Sequence, residues 1–170
     1  MRRRDREVTR KEEIFDIIDQ CKVCRIAMID NGKPYIVPMN FGYEEIDDKL
    51  IFYFHSAKQG RKIDIMKSNN QVCVEMDCEH QLVEADIACD YGYYFASLIG
   101  NGTVNFIDEI TLKKHALLKI MSHQTGRDDF TFDDKSVQSV AVFQIIMDDY
   151  AGKRKPKISN RPINEKRNEE

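Results

Sequence analysis

Leu50-Ile51-Phe52-Tyr53-Phe54-His55-Ser56-Ala57-Lys58-Gln59-Gly60-Arg61-Lys62 passes from an apolar strand through a polar loop into the first turn of a helix. The apolar run Leu50 to Phe54 is short and rich in aromatic and branched residues and reads as a strand. The loop carries a hydroxyl (Ser56) and a glycine (Gly60), and two cations open the helix. A helix N-terminus offers unpaired N–H groups and positive dipole potential, so it suits an anion. Arg61 can grip a phosphate with two parallel N–H bonds, and Lys62 adds a compact charge. Two solvated cations at an ordinary helix start is the competing reading. Cations oppose the dipole in a first turn, which favours a bound anion.

Outward from this stretch, 170 residues suffice for one domain with a real core. A net charge of −3 argues against a broad nucleic-acid-binding face. No apolar run reaches the length of a membrane span, and Met1-Arg2-Arg3-Arg4-Asp5-Arg6 leads into no apolar signal core. These features predict a cytoplasmic protein with neither nucleic acid nor membrane as partner. Five cysteines, an odd number, argue against a disulfide framework. Cys21-x-x-Cys24 and Cys78-x-His80 offer four zinc ligands, but neither pair sits in a glycine-containing turn. Cys24 and Cys78 share strand faces with Ile26, Met28, Val74 and Met76, so they are expected to be packing thiols and no metal is expected.

Thr9-x-x-Glu12 fits a capping box ahead of a helix whose apolar face is Ile14, Phe15, Ile17 and Ile18 and which ends near Gln20. Two extended runs, Lys22 to Ile29 and Tyr35 to Phe41, flank Asp30-Asn31-Gly32, a hairpin signal. A polar turn is expected from Glu44 to Asp48 and a third strand from Leu50 to Phe54. A strand Val72 to Cys78 follows the short helix, and Glu79 to Asp90 is expected to be loop or edge strand. The long strand Tyr93 to Phe106 is interrupted at Gly100-Asn101-Gly102, where a bulge or sharp coil is expected. Asp108 can cap a helix in which Leu112, Ala116 and Ile120 line up, and a last strand runs from Val137 to Met147. Residues 1–150 form the expected domain and 151–170 a charged, mobile tail.

Some six strands and three helices, ordered as hairpins and meanders without βαβ alternation, predict an antiparallel barrel with helices packed outside it. In this order, Cys24-Arg25-Ile26-Ala27-Met28, Pro34 through Phe41, Tyr53 through Ala57, Gly60-Arg61-Lys62, Glu75-Met76-Asp77-Cys78, Tyr94-Phe95-Ala96-Ser97 with Gly100-Asn101-Gly102, and Lys114-His115-Ala116-Leu117 carry a likeness. From about Arg3 to about Lys157, the chain resembles the pyridoxamine 5′-phosphate oxidase-like superfamily of FMN-binding split barrels. Within it, the chain is most similar to the 5-nitroimidazole-resistance branch.

The resemblance implies a mainly β fold with flanking α-helices, an antiparallel split β-barrel that binds FMN. It assigns the FMN phosphate to Ser56, Arg61 and Lys62, and the flavin ring to the strand residues Val37, Pro38, Met39 and Asn40. Pro38 also makes sense as an edge-strand proline, since it removes a ladder N–H. Flavin sites between subunits imply an obligate homodimer, expected to bury the apolar faces of the Val37/Met39 strand and parts of the Tyr93–Phe106 strand. His55 is the candidate catalytic residue, placed to hydrogen-bond the flavin or to protonate a reduced substrate. A loop histidine without catalytic duty is the competing reading. Lys153-Arg154-Lys155 matches no substrate-phosphate residues of the vitamin B6 oxidases, so that activity is set aside. The implied function is an FMN-dependent oxidoreductase passing electrons to a small-molecule acceptor such as a nitroaromatic. The alternative is a non-enzymatic split barrel that binds flavin or haem.

Overall fold

In the computed structural model, which describes residues 3–155, Asn31 and Gly32 both take positive φ, 49° and 79°. Two such residues in succession make the hairpin turn whose twist matches its strands. Asp30 accordingly pairs with Lys33 across it. The elements in order are β1 (Glu7–Val8), α1 (Lys11–Gln20), β2 (Val23–Asp30), β3 (Lys33–Asn40), β4 (Gly42–Ile46), β5 (Lys49–Ser56) and α2 (Arg61–Ser68). They continue as β6 (Gln71–Val83), β7 (Gly92–Ile107), α3 (Ile110–Thr125), α4 (Asp134–Ser139) and β8 (Ala141–Lys155).

Every strand pairing is antiparallel, in the order β3-β2-β6-β7-β8-β5-β4, with β1 added on β8. The sheet curls without closing, so β3 and β4 are its two edges. It is the expected split barrel, mainly β with flanking helices. Alternate residues of β2, β5, β6 and β8 fill the interior, among them Ile26, Met28, Phe52, Phe54, Met76 and Phe143, all almost completely buried. Ile14, Ile17 and Ile18 of α1 and Ile63, Ile65 and Met66 of α2 complete that core. A second cluster lies outside, where Ala116 and Ile120 of α3 cover Ile51 and Tyr53 of β5. Strand β5 is therefore buried on both faces along most of its length, which explains its continuous apolar run.

The structure departs from several sequence expectations. There are eight strands and four α-helices among the described residues, more than the six and three expected. The N-cap of α1 is Arg10, with no side-chain bond, so the Thr9/Glu12 capping box does not form. The expected turn Glu44–Asp48 is mostly strand β4, and the reversal falls on Asp47 and Asp48, whose φ values are 50° and 59°. β6 continues past Cys78 to Val83 through a register shift at Glu79, whose φ is 61°. Val137 lies in helix α4, and the last strand starts four residues later at Ala141. That strand crosses the expected domain boundary: Arg154 is in β8, paired with Asp16 and, at 2.8 Å, with Glu79. Residues 156–170 of the expected tail lie outside the described residues. The expected bulge in β7 is present between Asn101 and Gly102.

Candidate functional site

Side chains alternate along β5, and the alternation separates the two residues that end it. Leu50, Phe52 and Phe54 point into the barrel, while Ile51 and Tyr53 point to α3. Ser56 continues the first series and His55 the second. β4 reaches only as far as Tyr53, opposite Gly42, so Phe54 to Ser56 keep β8 as their one strand neighbour. His55 is exposed and lines a cavity of about 210 Å³ with Leu117, Met121, Phe132, Ser136 and Val137. Ser56 Oγ donates to the Ala57 carbonyl at 2.9 Å.

Gly60 ends the loop at φ 133°, a conformation that a side chain resists, and caps α2. Its carbonyl accepts from Ile63 at 2.9 Å and Asp64 at 3.2 Å. The N–H groups of Arg61 and Lys62 have no protein acceptor among the described residues. Arg61 reaches back to the β2–β3 hairpin, where Nε donates to Asp30 Oδ2 at 2.9 Å. Its guanidinium lies 4.3 Å from the centre of the Tyr35 ring. Lys62 is half-buried.

The four strand residues assigned to the ring lie on β3, an edge, as Pro38 requires. Val37 and Met39 pack against the chain's own core, whereas Pro38 and Asn40 face outwards. Val37 and Met39 are half-buried there, so the more exposed apolar surface of this strand lies on its other face. The outward face instead exposes Ile36 beside Pro38, together with Val23, Ile29 and, across the sheet, Ile99. Arg25 sits opposite Pro38 and pairs with Asp77 and, at 3.0 Å, with Glu75. Asn40 Nδ2 donates to the Lys22 carbonyl and to Gln124 Oε1, each at 3.0 Å. The predicted residues therefore spread over three places: the α3/α4 cavity (His55), the α2 start (Ser56, Arg61, Lys62) and the β3 edge.

Sequence reasoning missed the carboxylate of Glu44. It accepts from Tyr53 Oη at 2.7 Å, His115 Nε2 at 2.6 Å and Lys119 Nζ at 2.7 Å. Burial pushes its carboxyl pKa up, but the bonds from Lys119, His115 and Tyr53 outweigh this and hold it at about 2. His123 of α3 bonds the Cys21 carbonyl at 2.8 Å, and burial lowers its pKa, which marks it as structural. Among the described residues no group of three or more His, Cys, Asp or Glu is placed to hold a metal, and no helix is long and apolar enough to cross a membrane.

The family model for pyridoxamine 5′-phosphate oxidase matches residues 10–154. Among solved structures, a Bacteroides thetaiotaomicron protein provisionally named a 5-nitroimidazole antibiotic resistance protein is 37% identical. The match covers 87% of this chain and 86% of that one, with a TM-score of 0.77. A flavocytochrome from Azotobacter vinelandii matches at 19% identity and a TM-score of 0.76, over 92% of this chain and 72% of that one. A FAD- and haem-binding protein from Mycobacterium smegmatis matches at 16% identity and 0.74, over 88% and 73%. The last two show the fold alone. No curated protein matches the chain.

Proposed function

The chain belongs to the pyridoxamine 5′-phosphate oxidase family, and from that premise we propose that it is an FMN-dependent reductase of small nitroheteroaromatics such as 5-nitroimidazoles. The observation that carries this reading is the 37% identity to the Bacteroides protein over most of both chains. The start of α2 fits the cofactor's phosphate. Among the described residues, two N–H groups without a protein acceptor and the cations Arg61 and Lys62 stand there, and Ser56 ends the strand that leads into the loop. With Nε fixed on Asp30, Arg61 keeps its Nη donors for phosphate oxygens, so the guanidinium is preorganised. The open edge of β3, with an N–H missing at Pro38, offers backbone to the ring at Val37 to Asn40.

When bound, FMN supplies the redox chemistry. The protein's own task is to bind, orient and deliver protons. A homodimer supports this, because the outward apolar face of Ile29, Ile36, Pro38 and Ile99 would otherwise stay in water. His55, at the mouth of an apolar cavity, is the proton donor to the reduced nitro group. An imidazole is suited to that transfer near neutral pH, and general acid catalysis contributes about 10²–10⁴-fold.

The test is single-turnover oxidation of chemically reduced, FMN-loaded protein by metronidazole without oxygen. The wild type is expected to be reoxidised, and His55→Ala at least tenfold more slowly while still a flavin-bound dimer. A wild type that metronidazole does not reoxidise overturns the nitroreductase reading. Equal rates remove His55 from the chemistry.

A further inference from the structure

Helix α3 buries a lysine where its apolar spacing calls for a leucine. Lys113 is 8% exposed, and its neighbour Leu112 is 55% exposed. Lys113 Nζ donates to the Val140 carbonyl at 3.3 Å. Among the described residues it forms no ion pair, unlike its helix neighbours Lys114 and Lys119. An ammonium has three donors, and burying one with a single weak acceptor is costly unless an anion completes its surroundings.

Lys113 forms one wall of a cavity of about 420 Å³ between α2, the end of β7 and the start of β8. Lys58 and Lys67 line it too, and neither forms an ion pair among the described residues. Lys67 Nζ stands 5.9 Å from the centre of the Phe106 ring. Ile63, Phe106 and Val142 give the cavity an apolar side. Asp108 is the single carboxylate of the lining, against three cations. The volume falls within the range of small-molecule sites.

We propose that this cavity is a second ligand site, one that binds a small phosphate monoester with an apolar body. Three ammonium groups are compact charges on flexible stems that can close around a tetrahedral dianion, and no guanidinium fork is present to favour a planar carboxylate. Phe106 and Ile63 take the apolar body, which places the phosphate among Lys58, Lys67 and Lys113. Arg61 and Lys62 do not line it, although Lys58 of the preceding loop and Ile63 of the same first turn do.

The test is calorimetric titration of the full chain with phenyl phosphate, with and without saturating FMN. Binding is expected in both conditions, weakening with added salt. Lys67→Gln and Lys113→Met should each weaken it at least tenfold, and Arg61→Ala should leave it unchanged. Lys67 lies at the surface of α2, so its variant gives a reading even where Lys113→Met disturbs folding. Inorganic phosphate should bind more weakly, since it lacks the apolar body. The proposal is overturned by any of four results: no heat at millimolar phenyl phosphate, displacement by FMN, loss in Arg61→Ala, or full affinity in Lys67→Gln. Equal affinity for inorganic phosphate would overturn the assignment to a monoester.

Discussion

Two charged clusters flank α3, and they are built on opposite terms. At the Glu44 end one carboxylate meets three donors, and every group has a partner. At the Lys113 end, only Lys113 of the three lysines bonds a carbonyl, that of Val140, and among the described residues no carboxylate pairs with any of the three. A closed network holds elements together: Glu44 ties β4 to β5 and to α3. An open one costs folding energy and leaves donors for something else. The difference separates charge that fastens the fold from charge that waits for a ligand.

The largest way to break that comparison is to remove the acceptor at the closed cluster. Glu44→Ala leaves the hydroxyl of Tyr53, the ring of His115 and the ammonium of Lys119 without their partner. Breaking a partly buried pair of this kind should cost about 3 kcal/mol, seen as a lower urea midpoint at unchanged slope. Lys67→Gln at the open cluster should shift stability by less than about 0.5 kcal/mol. Equal losses would mean that the lysines are structural too.

Acid offers a gentler version of the same cut. The folded carboxyl of Glu44 lies at about 2, below its ordinary value of 4.5. Its contribution is therefore complete above about pH 4.5 and is lost as pH falls towards about 2. The wild type should lose on the order of 2–3 kcal/mol across that window from this group. Glu44→Gln should show a flatter acid limb in urea melts at stepped pH. Parallel limbs would show that the three hydrogen bonds carry no such charge linkage.

A third cluster, at the start of α2, lies between the other two in design. Arg61 has one carboxylate partner, and Lys62 has none among the described residues. If it holds the FMN phosphate, Arg61→Ala should weaken FMN by about 2 kcal/mol, roughly 30-fold, while riboflavin changes little. Flavin fluorescence quenching measures both. Equal binding of the two flavins by the wild type would withdraw the phosphate assignment.

Much of this was legible in the sequence where one residue dictates one geometry. Asn31-Gly32 can hardly be anything but a tight hairpin turn, and Pro38 fits only an edge or a break, where it is found. The continuous apolar run of β5 reads as a strand, and the fold covers it on both faces. What failed depended on tertiary contact. Glu44 reads as a turn residue because its partners, Tyr53, His115 and Lys119, are brought to it by folding. Arg154 reads as tail because Asp16 and Glu79, which hold it, are distant in sequence. On α3, Ala116 and Ile120 of the expected face are buried, but Leu112 is exposed while the neighbouring Lys113 is buried and bonds the Val140 carbonyl. Val37 and Met39 read as partner-facing by their apolar character, and in the fold they lie half-buried against the core.

The smallest effect is also the sharpest discriminator at the first turn of α3. Sequence pattern assigns the cap to Asp108, but Glu109 is the N-cap, accepting from the N–H groups of Thr111 and Leu112 at 2.9 Å each. Asp108 instead lines the lysine cavity. Glu109→Ala should therefore cost about 1 kcal/mol, because two orphan donors lose their acceptor. Asp108→Ala should cost nothing measurable through capping. Removing its charge leaves Lys58, Lys67 and Lys113 unopposed, so Asp108→Ala should bind phenyl phosphate more tightly than the wild type. Urea melts and titrations on the two variants separate the roles cleanly. A stability loss for Asp108→Ala equal to that of Glu109→Ala would return the cap to Asp108, and with it the carboxylate would leave the cavity's charge balance.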